Sequence, residues 1–204
     1  MTAAEQPYFR PHLPDVGSFD GTLIVADSHH RGKEGGRSGW GAGFDALLDD
    51  DERNWTIAQI KDCTSLGRTK ELYHVLKDIL YPHLTVTECF ARVAFVNACP
   101  EVLPEIGASL PLAGIPASFR ANLAAVDPDR ILVVSKRVWK ALPRPDETHH
   151  LPNAGEIRQY GRAWATWCYH PTGRFSRLLF RKDRDQLGLR LAAVTQRSNN
   201  GSQA

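Results

Sequence analysis

A chain of 204 residues suffices for one domain with a sizeable core, and its 42% hydrophobic and 24% charged residues are ordinary for a soluble globular protein. No apolar run approaches the roughly 20 residues needed to cross a bilayer, and the start, Met1-Thr2-Ala3-Ala4-Glu5-Gln6-Pro7, lacks the basic and apolar regions of a signal peptide. The expected compartment is therefore the cytoplasm. The formal net charge is only +2, so a face for a polyanionic partner must be a local patch.

In chain order, the first predicted strand is 21–27. It ends in Leu23-Ile24-Val25-Ala26 followed by Asp27-Ser28-His29-His30. Residues 31–43 hold six glycines in thirteen positions, interleaved with Arg31, Lys33 and Arg37, and read as a loop that glycine leaves free to move. Residues 49–52, Asp-Asp-Asp-Glu, read as a solvated turn or helix end. Leu72, Val75, Leu76, Ile79 and Leu80 follow helical spacing and predict a helix over 68–80, stopped by Pro82. A second strand over 92–97 ends at Asn97. A helix is expected from Pro116 to Val126, a strand over 130–135, and a short helix over 138–142 that Pro143 stops. Residues 143–155, with Pro143, Pro145, Pro152 and the pair His149-His150, read as a loop. A fourth strand, 163–169, runs into His170-Pro171-Thr172-Gly173. From Arg174 come Arg177, Arg181, Lys182, Arg184, Arg190 and Arg197 against Asp183 and Asp185, a local basic patch. The polar segment 198–204 reads as a frayed tail.

Short apolar strands alternating with helices predict a parallel sheet with right-handed crossovers. Ligands bind outside the carboxyl ends of such strands. Asp27, Asn97 and His170 each follow a buried run at that position, so they are expected to converge on one pocket. Competing structural roles remain open: a helix N-cap for Asp27, a turn or cap for Asn97, a strand terminus for His170. The four cysteines, Cys63, Cys89, Cys99 and Cys168, form no C-x-x-C pair and read as buried thiols rather than metal ligands. The histidine pairs invite a metal reading with Asp27, but adjacent histidines point apart and no H-x-x-x-H spacing puts two on one helical face.

Four segments in order resemble motifs of the uracil-DNA glycosylase superfamily, over about residues 20–180. Ala26-Asp27-Ser28-His29-His30 stands in the place of the G-x-D-P-Y or G-E-A-P-G segment, with Asp27 at the acidic position of the second form and Ser28 where the first has its aspartate. Phe95-Val96-Asn97-Ala98-Cys99-Pro100 resembles the asparagine that ends the central strand. Residues 131–140 resemble the third strand and its helix, with Ser135 replacing the usual glycine. His170-Pro171-Thr172-Gly173 resembles the H-P-S motif.

The resemblance implies a three-layer α/β/α sandwich around a central four-stranded parallel sheet, a single domain with its core at about 20–191 and a flexible tail at 198–204. It implies a monomeric, cofactor-free and metal-free DNA glycosylase whose partner is DNA and which does not engage a membrane. Asp27 stabilises the sugar cation or orients the attacking water. His170 donates to the departing base. Asn97 pairs with the edge of the flipped base. Trp40, or failing it Phe44, stands where the family's stacking aromatic lies, although a Trp at that position also serves as a core anchor. Ser28 and His30 line the base pocket, and Arg31, Lys33, Arg37, Arg174, Phe175 and Arg177 meet the duplex, Phe175 or Arg174 as the inserted side chain. Phe175 alternatively packs with Leu178, Leu179 and Phe180.

Ser28 in place of an aspartate and His30 in place of the gating tyrosine depart from plain uracil specificity. They point to a larger base that is oxidised, deaminated or deliberately modified, such as a hydroxymethylated or glycosylated cytosine of phage DNA; a modified phage base implies antiviral defence, and otherwise the role is uracil repair. The alternatives are an inactive nucleic-acid-binding domain of the same fold and a metal-dependent hydrolase built on the histidine pairs.

Overall fold

The computed structural model describes residues 11–14, 17–27, 29–30, 71–99, 102–103, 109–171 and 174–201. Its strands are β1 (Thr22–Ala26), β2 (His29–His30), β3 (Ala94–Asn97), β4 (Val102–Leu103), β5 (Arg130–Val133), β6 (Glu147–Leu151), β7 (Gly155–Tyr160) and β8 (Ala163–Trp167). Six of them form one mixed sheet in the order β3-β1-β5-β8-β7-β6. The first four are parallel, and the β6–β7 hairpin adds two antiparallel strands beyond β8. β2 and β4 pair with each other in a separate ribbon. The helices are α1 (Glu71–Leu80), α2 (Val86–Phe90), α3 (Ile115–Val126), α4 (Lys136–Ala141), α5 (Arg174–Lys182) and α6 (Arg184–Gly201).

The parallel strands are apolar at nearly every position because helices cover both their faces. Leu23, Val25, Ala94, Val96, Ile131 and Val133 pack on Ile115, Phe119 and Val126 of α3 and Val138 and Trp139 of α4. The alternate residues Ile24, Ala26, Phe95 and Leu132 pack on Tyr73 and Leu76 of α1, Cys89 and Phe90 of α2, Phe180 of α5 and Leu187 of α6. Each such aliphatic side chain contributes about 1.5–3 kcal/mol relative to exposure. The free edge of β3 is covered by His12, whose N–H donates to Phe95 O at 2.8 Å while Phe95 N donates to His12 O at 3.0 Å, which blocks pairing with another chain.

Three expectations are corrected. The sheet is six-stranded and mixed, not four-stranded and parallel throughout. The missing pair lies in the segment read as a loop: residues 147–151 form β6, and β7 begins at Gly155. As the edge strand, β6 is largely exposed, so it carries no apolar pattern. Its turn is made by left-handed backbone at Asn153 (φ 60°) and Gly155 (φ 93°), a conformation glycine adopts without strain. Finally, the expected tail is helical as far as Gly201. Ser198 is buried, and its hydroxyl is 2.8 Å from Asp129 O and 3.0 Å from Val194 O. Among the described residues, no helix is long and apolar enough to cross a membrane.

Candidate functional site

Parallel pairing aligns the carboxyl ends of β3, β1, β5 and β8 on one edge of the sheet. Ala26 is the register partner of Asn97, and pairing continues past the strand ends, with Ala98 N donating to Ala26 O at 2.9 Å and Cys99 N to Asp27 O at 3.0 Å. Val133 lies between Val25 and Trp167. At about 4.8 Å per strand, β8 stands about 10 Å from β1. Asp27, one residue beyond β1, Asn97, the last of β3, and His170, three beyond β8, therefore share this edge.

The Asp27 side chain is 14% exposed, and Arg137 Nη2 donates to its Oδ2 at 3.1 Å. Its other oxygen, Oδ1, is buried and meets no donor among the described residues. A buried carboxylate oxygen without a donor is costly, so this carboxylate is held in place on one side and carries an unsatisfied acceptor on the other. Asp27 is followed by strand residues 29–30 rather than by a helix, so helix capping does not account for it. Asn97 is buried, and His170 is half-buried ahead of the buried Pro171. Ser135, which stands in the glycine's place, caps α4: its hydroxyl accepts from Val138 N at 3.4 Å.

Arg137 went unassigned in the sequence reading, as did its neighbour Lys136, whose ammonium donates to Tyr169 Oη at 3.2 Å and lies 5.0 Å from the Trp167 ring centre. The available signal was a Lys-Arg pair directly after a buried strand, at the edge where ligands bind.

The basic run divides. Arg190 is 1% exposed and leaves the expected patch. Its guanidinium holds Asp183 at 2.5 Å and 3.2 Å, and also donates to Ala154 O at 2.8 Å and Trp167 O at 3.1 Å. Arg197 stacks on Trp164. By contrast, Arg177, Arg181 and Arg184 line a small cavity of about 170 Å³ beside Pro171. The side chains of Arg174 and Phe175 lie outside the described residues, as do Ser28, Arg31, Lys33, Arg37, Trp40, Phe44 and Cys63, and the acidic segment 49–52. His30 is described only as backbone of β2.

Cys89, Cys99 and Cys168 are buried thiols. Burial pushes the Cys89 and Cys168 thiols up to about 12. His149 and His150 sit on β6, four strand positions from β1, or about 19 Å at the usual spacing. They therefore share no metal centre with Asp27. Among the described residues, no group of three or more His, Cys, Asp or Glu could hold a metal ion. Compared with known proteins, the chain matches no family model and no curated protein.

Proposed function

We propose that this chain is a DNA glycosylase of the uracil-DNA glycosylase superfamily, cutting the N-glycosidic bond of a flipped base and leaving an abasic site. The observation that carries the reading is the alignment of Asp27, Asn97 and His170 on one edge of the parallel strands, with Asp27 Oδ1 buried and without a donor among the described residues. The finer architecture that goes with it is the layered α/β/α core of that superfamily, here with a hairpin added to the sheet.

In this mechanism, the bond between C1′ and the base nitrogen breaks with its electron pair leaving on the base. Asp27 stabilises the positive sugar or orients the water whose oxygen bonds to C1′, and the proton the water loses balances the one the base anion takes up. His170 donates a hydrogen bond to the base oxygen as negative charge develops there, and the Asn97 amide offers a donor and an acceptor to the base edge. Arg137 holds one oxygen of the Asp27 carboxylate and so fixes its position. The substrate is a pyrimidine larger than uracil, such as a modified cytosine of phage DNA. His30 in the gating position and the glycine-rich segment 31–43, with Trp40 to stack on the base, motivate that choice.

The test is mass spectrometry of bases released from uracil-containing, hypoxanthine-containing and phage-modified DNA, with and without chelator. Release of a 5-substituted cytosine, unaffected by chelator, is expected. Release of uracil alone returns the chain to ordinary repair. DNA binding with no base released from any substrate refutes glycosylase activity and leaves an inactive nucleic-acid-binding domain.

A further inference from the structure

A cavity of about 320 Å³ opens between α4 and the β6–β7 hairpin, on the same sheet edge as Asp27. β6 runs parallel to β8 because both are antiparallel to β7, so His150, near the end of β6, reaches the edge where β8 ends. One wall is a closed network. Glu156 Oε1 accepts from Arg158 at 2.6 Å and 3.0 Å and from Trp139 Nε1 at 3.2 Å, and the Arg158 guanidinium lies 4.2 Å from the centre of the Trp139 ring. That wall is charge-neutral and satisfied. The remaining lining supplies uncompensated positive charge: Lys136 and Lys140, one turn apart on α4, are exposed, and neither has a carboxylate partner among the described residues. Lys136 reaches over the half-buried Trp167.

Two ammonium groups without counter-ions beside an indole suit a ligand that is anionic at one end and flat and apolar at the other. A nucleotide has both, through its phosphate and its base, and base–aromatic stacking is worth about 1–3 kcal/mol. The volume lies at the low end for small-molecule sites and suits one nucleotide rather than a longer segment. Position selects the source. Lys136 is adjacent in sequence to Arg137, which holds Asp27, so a strand whose flipped base is at Asp27 passes the cavity within one or two nucleotides. We propose that this cavity is a subsite for a neighbouring nucleotide of the DNA strand, its phosphate held by Lys136 and Lys140 and its base taking the place over Trp167 that the Lys136 ammonium holds in the free protein. This rests on the glycosylase reading for its strand geometry, and on the cavity alone for its ligand chemistry.

The experiment measures binding of a single-stranded oligonucleotide and of a deoxynucleoside monophosphate to the full chain across a salt series. It compares wild type with Lys136→Gln/Lys140→Gln, Lys140→Glu and, as a control that removes a positive charge away from the cavity on α3, Arg120→Gln. Removing one ammonium–phosphate pair lowers the slope of log K against log salt by about 0.7 for single strands. Because the two lysines share one phosphate, the double variant is expected to lose about 0.7 in slope and at least tenfold in affinity at low salt, with Lys140→Glu weaker than wild type and Arg120→Gln unchanged. Oligonucleotide affinity and slope unchanged in the lysine variants overturn the subsite, even if wild type releases bases. Lysine-dependent oligonucleotide binding without release of any base supports the subsite while refuting the glycosylase reading. Lysine-dependent binding of the monophosphate alone overturns it in favour of a free-nucleotide site.

Discussion

At residue scale, Asp27 combines two opposing features. One carboxylate oxygen is paired with an exposed guanidinium, an interaction worth about 0–1 kcal/mol, and the other is buried without a donor among the described residues. Because the unpaired oxygen offsets what the pair contributes, Asp27→Asn is expected to keep folding stability within about 1 kcal/mol in urea titration. The same variant is expected to slow single-turnover base release about 10²–10⁴-fold, the scale of a lost acid–base group. Near-wild-type release would remove Asp27 from the mechanism. A large loss of stability would instead make it a structural residue. Arg137→Gln leaves the carboxylate charge in place, so it is expected to slow release by less.

At element scale, one side chain fixes how α6 meets the sheet. Arg190 bridges Asp183 at the junction of α5 and α6, the carbonyl of Trp167 at the end of β8 and that of Ala154 in the hairpin turn. It therefore sets the exit of β8, three residues before His170. Removing one member of a buried ion pair strands the other, at a cost of about 3–5 kcal/mol. Arg190→Ala is thus expected to lower the unfolding free energy by that amount. Arg190→Met with Asp183→Leu should recover most of the loss, since a well-packed apolar pair replaces both desolvated charges. Equal losses in the single and double variants would show that packing, rather than the stranded carboxylate, sets the cost. The loop-like reading failed at 147–151 and from Gly155, and the tail-like reading at 198–201, at this scale too. β6 is a solvated edge, so its polar residues bear no alternation. The Ser198-Asn199-Asn200 stretch is a poor helix former that the Ser198–Asp129 contact captures.

At the scale of the whole molecule, the buried thiols couple stability to alkaline pH. Cys89 and Cys168 titrate near 12 in the folded protein, chiefly through burial, against 9.0 when free. Between those values the native state keeps both protons while the unfolded state loses them. The unfolded state then binds fewer protons, and stability falls as pH rises. Full stability is expected below about pH 9 and a progressive loss above it, with a slope approaching about 1.4 kcal/mol per pH unit per thiol, read from urea midpoints over pH 8–11. Cys168→Ser is expected to flatten that slope despite its own cost in packing. A wild-type midpoint that stays constant to pH 11 would contradict the burial of these thiols.

By itself the sequence determined the four parallel strands, the approximate spans of α1, α3 and α4, and the placing of Asp27, Asn97 and His170 at strand ends. These features are written in local patterns: apolar runs between buried faces, helical spacing, and polar residues where the runs stop. Tertiary structure alone decided which strands are neighbours, that a hairpin extends the sheet past β8, that Arg137 meets Asp27 across 110 residues of chain, and that Arg190 is an internal clamp while Lys136 and Lys140 face a cavity. A cation reads the same in sequence whether it meets solvent, a buried carboxylate or a ligand. Only the packing of distant elements around it sets its dielectric surroundings and its partners, and with them its role.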